Sequence, residues 1–320
     1  MFVSIYAEGL IAMIRYYKTL GGRTEKISEY AVGCWINCTN PTEEEIEYLI
    51  SNFSLDPEFA RSALDEEESS HVDSEDENVL MIVDSPVVNK AGKNLTYYTM
   101  PLSIIITPEN IITISLKENS IIEEFSESLI RNVSIEDKNR FALQIMLRMA
   151  GKYLQYLKQI NKITERVEDK LKKTMKNEEL MQFLEIEKSL VYFSASLRAI
   201  RGMIGKLKRG KYIKFNEEEH ELIEDLSIEF TQAQEMSEIY MSILSSTMDT
   251  FSSVISNNLN VVMKILASIT LISSMPTIIS GIYGMNNPGI PLMEYWWAPF
   301  IIMGVLSFGV WALLKKKNML

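Results

Sequence analysis

Two stretches near the end of this chain, 265–283 and 296–314, carry no charged residue. Each is close to the roughly 20 residues that a helix needs to cross hydrocarbon. A bilayer also demands that backbone polar groups be satisfied within the segment, so both are expected to be transmembrane helices. Trp296 and Trp297 open the second, where indole rings favour the interface. Lys315, Lys316 and Lys317 follow it, whereas the loop at 287–295 has no Lys or Arg. Positive charge stays inside, so the C-terminus is expected in the cytoplasm, and two crossings bring the large N-terminal part there too. A pair of buried core helices is the competing reading. Length, flanks and the three lysines weigh against it.

The remainder is charged. Hydrophobic residues make up 47% of the 320, an ordinary share, but the longest apolar runs lie at the end. The net charge of −11 makes nucleic acid a poor partner, since its phosphates need Lys and Arg. The same balance attracts cations. Cys34 and Cys38 are the chain's two cysteines, too few for a zinc site and expected as reduced thiols. The start, "MFVSIYAEGLIAMIRYYKTL", lacks a cleavage pattern and is not read as a signal peptide. Four glycosylation sequons, at Asn37, Asn52, Asn94 and Asn132, are chance matches if this part is cytosolic. His71 and His220 are the two histidines, neither in a nucleophile or metal spacing, and no glycine-rich phosphate loop is present. An enzymatic role and an organic cofactor are therefore not expected.

Residues 1–134 read as a cytoplasmic α/β domain. Strand-like runs are "YAVGCWINC", "NVLMIVDSPVV", "LTYYTMPLSIIIT" and "NIITISL". "NPTEEEIEYLISNF" reads as a helix with Asn40 as its N-cap and Pro41 in its first position. "DSPVVNKAGKN" carries a glycine turn signal between two strands. From residue 135 the pattern becomes helical, with apolar residues at three- and four-residue steps. One helix ends near Met175, and a second ends in a basic turn at Gly210. A third starts at an Asn216 cap and runs without a break through Pro276 to Tyr283, roughly 100 Å at about 1.5 Å per residue. A monomeric globular protein rarely holds such a helix; it suggests a stalk in an assembly. The expected division is 1–134, a stalk at 135–262, and the membrane part at 263–320, with spans at 263–283 and 296–314 joined by an external loop at 284–295.

The first span and the helix below it carry a stripe. Counting back by threes and fours from Gly284 gives Gly281, Thr277, Ser274, Thr270, Ala267, Met263, Asn260, Ser256, Ser253 and Asp249. The residues between are mostly Ile, Leu, Val and Met. Two readings compete: a helix–helix seam, or the lining of a water-filled pore. A seam explains the small residues well, and Asn260 and Asp249 less well. Two spans cannot enclose a pore, so a channel would need several copies around an axis. Asp249 would then form a carboxylate ring, which selects cations. Asp249 as a plain solvated stalk residue remains the simpler alternative.

"NNLNVVMKILASITLISSMPTIISGIYGMN", a short loop, a second span and a Lys-rich end resemble the CorA-type magnesium transporter family. The Tyr-Gly-Met-Asn at 283–286 is its specific mark, and "IEKSLVYFSASLRAIRGMIGKL" resembles its segment before the stalk. The resemblance implies an α+β membrane protein: a cytoplasmic α/β domain, a long helical stalk and two C-terminal spans in a funnel-shaped homopentamer in the cell membrane. It implies passive Mg2+ transport, with Co2+ or Ni2+ tolerated. Gly284, Met285 and Asn286 would form the selectivity filter. Asp249, Asn260, Met263, Leu266, Thr270, Ser274, Thr277 and Gly281 would line the path. Asp225 falls where the family has a regulatory Mg2+ site between subunits. Its partner acid would come from "LDEEESSHVDSEDE", with Asp65 and Glu66 as candidates. Ser274 stands where some members have a constricting methionine, leaving the hydrophobic gate to Met263 and Leu266. Glu294 is the one acid of the outer loop. A Zn2+ or Co2+ transporter of the same family and a non-conducting metal sensor are the alternatives; the intact signature favours Mg2+.

Overall fold

The structure, a computed structural model, describes residues 13–62, 64–91, 94–174, 177–285, 289–292, 294–317 and 319. It divides into two compact units, Met1–Leu244 and Ser245–Leu320.

The first unit is built on a sheet in the order β2-β1-β3-β7-β6-β5-β4. Its strands are β1 (Ile14–Leu20), β2 (Arg23–Ile27), β3 (Trp35–Thr39), β4 (His71–Glu75), β5 (Asn78–Ala91), β6 (Asn94–Ile106) and β7 (Ile111–Ser115). Every neighbouring pair is antiparallel except β3 and β7. Each of the four strand-like runs contains a strand, although the first, "YAVGCWINC", becomes strand only at Trp35. The glycine turn signal at Gly92 lies outside the described residues. Pro86 sits inside β5 opposite Thr99. It is tolerated because β4 covers β5 only as far as Ile82, so the missing N–H of Pro86 faces an open edge.

Two short helices, α1 (Glu43–Phe53) and α2 (Pro57–Ser62), cover one sheet face. Ile36, Cys38, Ile112 and Ile114 pack there with Ile46, Leu49 and Phe59 in one apolar cluster. Burial pushes the Cys38 thiol up to about 12 and raises that of Cys34, so both are inert reduced thiols. The cap of α1 corrects the expectation. Thr42, not Asn40, is the N-cap, and it forms a capping box with Glu45. Asn40 instead adopts φ +51 and donates its N–H to the Ser115 carbonyl at 2.8 Å.

The other face carries α3 (Ser120–Ser126) and the start of α4 (Lys138–Thr174). The Trp35 ring lies 5.2 Å from Phe141, which is 5.5 Å from Phe125. α4 and α5 (Asn177–Leu207) are tied to the long β5–β6 hairpin. Tyr153 donates to the Asp84 carbonyl at 2.8 Å, and Ser196 donates to Thr99 at 2.9 Å. Gly210, at φ +67, ends the turn after α5 in the left-handed region.

Next is α6 (Glu217–Tyr283), one continuous helix that includes Pro276. Asn216 accepts from the Glu219 N–H at 2.9 Å, and the Glu219 carboxylate accepts from the Asn216 N–H at 2.7 Å. That reciprocal box is the start the sequence announces. The second unit holds residues 245–283 of α6 and α7 (Ala298–Lys316).

Candidate ion pathway

Within the second unit most apolar residues of α6 and α7 face outward, with Phe251, Ile279, Ala298 and Leu314 among the buried exceptions. Met263 and Leu266 are 54% and 56% exposed, and Trp296 is 82% exposed. In the most apolar window of each helix only 11% of residues are buried. A core helix of a soluble protein would be largely covered, so this surface requires lipid or neighbouring copies. Tyr295 and Trp297 stack at 5.5 Å before α7, and the Lys315 ammonium sits 5.0 Å from the Trp311 ring at its end. Aromatic rings at one end and a lysine-flanked ring at the other match two interfaces.

Asp249, Ser253, Ser256, Asn260, Met263, Ala267, Thr270, Thr277, Gly281 and Gly284 are exposed, and Ser274 is half-buried. Four of the stripe's hydroxyls turn back onto their own helix. Ser253 donates to the Asp249 carbonyl at 3.0 Å, Thr270 to Leu266 at 2.8 Å, Ser274 to Leu271 at 2.8 Å and Thr277 to Ser273 at 3.3 Å. Each hydroxyl has one hydrogen, and the backbone takes it. What these groups present outward is oxygen lone pairs. Oxygen acceptors on this face suit a hydrated cation, whose water hydrogens point away from the metal, and Asn260 adds an amide oxygen to them.

At the top of α6 the chain is closed tightly. Gly284 donates to the Ser280 carbonyl at 2.9 Å, and Met285 donates to Ile282 at 3.2 Å. A Cβ on Gly284 would meet the Ser280 oxygen at 3.1 Å, tighter than ordinary contact. Tyr283 donates its hydroxyl to the Pro291 carbonyl at 2.8 Å, a clamp that no residue pattern signals. Asn286 lies outside the described residues.

Asp225, Asp65 and Glu66 are exposed residues of the first unit. Asp65 accepts from the Glu67 N–H at 2.9 Å, and Glu66 pairs with Lys117 at 2.9 Å. Part of the acidic segment is strand β4, so its side chains are held by the sheet. Among the described residues no three His, Cys, Asp or Glu come together as a metal site. One chain therefore leaves these acids apart.

The model of the CorA-like Mg2+ transporter proteins matches residues 30–316. This chain belongs to the CorA family. It is a divalent-cation membrane transporter rather than an enzyme. It is 30% identical over 280 residues to the cobalt/magnesium transport protein CorA of Methanocaldococcus jannaschii, covering 85% of this chain and 86% of that one. The CorA protein of Thermotoga maritima is 22% identical, over 89% and 83% of the two chains. The complete CorA structure from M. jannaschii superposes with a TM-score of 0.79 at 25% identity, covering 95% of this chain and 96% of that one. The CorA architecture of α/β domain, long helix and two C-terminal apolar helices is therefore this chain's fold.

Proposed function

We propose that the chain is a Mg2+ uptake channel that works as a homopentamer in the cell membrane, with both termini in the cytoplasm. The observation that carries this reading is the largely exposed stripe of small and oxygen-bearing residues on α6 from Asp249 to Gly284. Five such faces around an axis enclose a path that one chain cannot. For function we divide the chain into the domain at 1–134, the stalk at 135–262 and the membrane part at 263–320.

Mg2+ loses its waters reluctantly and prefers octahedral oxygen coordination. A ring of Asn286 amides and backbone carbonyls accepts hydrogen bonds from the hydrated ion without stripping it. Neutral oxygen holds the ion less tightly than carboxylate, and conduction requires release. Met263 and Leu266 supply an apolar constriction that closes by excluding water. Asp249 concentrates cations at the cytoplasmic mouth.

Asp225 and a carboxylate of the 64–77 segment on a neighbouring copy would hold regulatory Mg2+. These groups fit: they are exposed oxygen donors, and Mg2+ is commonly held by one or two carboxylates with its remaining waters. The bound ion would supply countercharge between acidic copies. When it leaves, like charges repel and the closed population falls. The similarity to proteins named for cobalt and magnesium transport supports Mg2+ as cargo, with Co2+ tolerated. Native mass measurement together with Mg2+ uptake by proteoliposomes tests the proposal. Five copies and saturable passive uptake are expected; a monomer, or vesicles as tight as empty ones, would overturn it.

A further inference from the structure

The first unit holds a crevice of about 530 Å3 that the ion pathway does not use. It lies at the carboxyl ends of β3 and β7, the adjacent parallel pair. The chain leaves β3 for α1 on one face of the sheet and leaves β7 for α3 on the other. Diverging connections of this kind open a crevice at the strand ends, the general position of ligand sites in α/β sheets. Its walls include Thr39 at the end of β3 and Asn40 after it, Lys117 and Glu118 after β7, and Arg15 from β1.

Asn37 at its floor is 4% exposed. The orientation of its amide follows from the bonding. The Trp35 indole can only donate, and it donates to the Thr113 hydroxyl at 2.8 Å. Thr113 then has one hydrogen to give, and gives it to Asn37 at 3.0 Å. The acceptor must be the amide oxygen, so the NH2 group points away from Thr113. Among the described residues that NH2 has no partner, and the Arg15 side chain has none either. Lys117 pairs with Glu66 in an exposed, easily exchanged contact.

We propose that this crevice binds a small phosphate monoester carrying hydroxyl groups. Arg15, Lys117 and the Asn37 amide bring donors from three separate elements, two of them cationic. That set suits the three oxygens of a phosphate, whereas a carboxylate is satisfied by one arginine. Glu118 and Glu123 line the same space and accept from hydroxyls. The volume falls in the range of small-molecule sites. The assignment stands whether or not the chain conducts ions.

Calorimetric titration of the purified full-length protein tests it, with AMP, glycerol 3-phosphate, inorganic phosphate and malate at fixed ionic strength. The two esters distinguish a nucleotide from a sugar-type ligand. Saturable binding of at least one ester is expected, at least tenfold tighter than that of inorganic phosphate or malate. Arg15→Ala changes an exposed side chain and should weaken it at least tenfold. Asn37→Asp is isosteric, still accepts from Thr113, turns a carboxylate oxygen toward the phosphate and should weaken it as much. Thermal melting of each variant shows that it is folded. No ester binding, binding no tighter than phosphate or malate, or binding unchanged in both variants overturns the proposal.

Discussion

The hydroxyl of Tyr283 donates to the carbonyl of Pro291 at 2.8 Å, joining the last residue of α6 to the loop before α7. The bond holds the loop immediately beyond the helix proposed to line the pore. Tyr283→Phe keeps the ring and removes one hydrogen bond, a stability change of about 1 kcal/mol. Mg2+ flux through proteoliposomes is expected to fall several-fold while the melting temperature moves little. Wild-type flux would show that the clamp does not position the mouth.

Gly284→Ala places a Cβ 3.1 Å from the Ser280 oxygen. The end of α6 must shift by a few tenths of an ångström, and the signature residues shift with it. Flux is expected to drop at least tenfold with helical content unchanged by circular dichroism. A variant that conducts normally would contradict the role given to this close approach.

Asp249→Asn removes a carboxylate from an exposed position on the stripe. Flux at low ionic strength is expected to fall roughly three- to tenfold. The loss should shrink toward 1 M salt, where the screening length is about 3 Å. A loss that does not depend on salt would mean that Asp249 acts structurally rather than by concentrating cations.

Asp84 is buried on β5, and desolvation raises its pKa, opposed by the nearby hydroxyls of Ser196 and Ser70. The raised folded value fixes the sign. Between the unfolded and folded pKa the native state binds more protons, so this group's contribution falls as pH rises through that window. Asp84→Asn should therefore raise the apparent melting temperature by about 2–4 °C at pH 7, roughly what 1 kcal/mol does in a protein of this size. The gain should fade toward pH 4. A gain of equal size at both pH values would contradict the account.

How much of this was legible depends on what each element relies on. α6 declares itself, because one box of Asn216 and Glu219 starts it and no glycine interrupts it before Gly281. The apolar strands β3 and β5–β7 are equally plain. β1, β2 and β4 are not, since "RTEKI" and "HVDSE" are short, charged edge strands whose burial comes from their neighbours. The α1 cap was readable as Thr42-x-x-Glu45, but Asn40 and Pro41 formed a competing signal that the left-handed turn at Asn40 absorbs. The stripe was legible as spacing, whereas the bonds of four of its hydroxyls to their own helix and the Tyr283 clamp depend on backbone geometry.

In the proposed channel a ring of Asn286 amides beyond the end of α6 selects hydrated divalent cations. Proteoliposome flux of Mg2+, Co2+, Ni2+ and Zn2+, compared between the wild type and Asn286→Ala, tests it most directly. The wild type should pass Mg2+ readily and Zn2+ poorly, and Asn286→Ala should lose at least tenfold of its Mg2+ flux. Equal Mg2+ flux in the two proteins would contradict the claim.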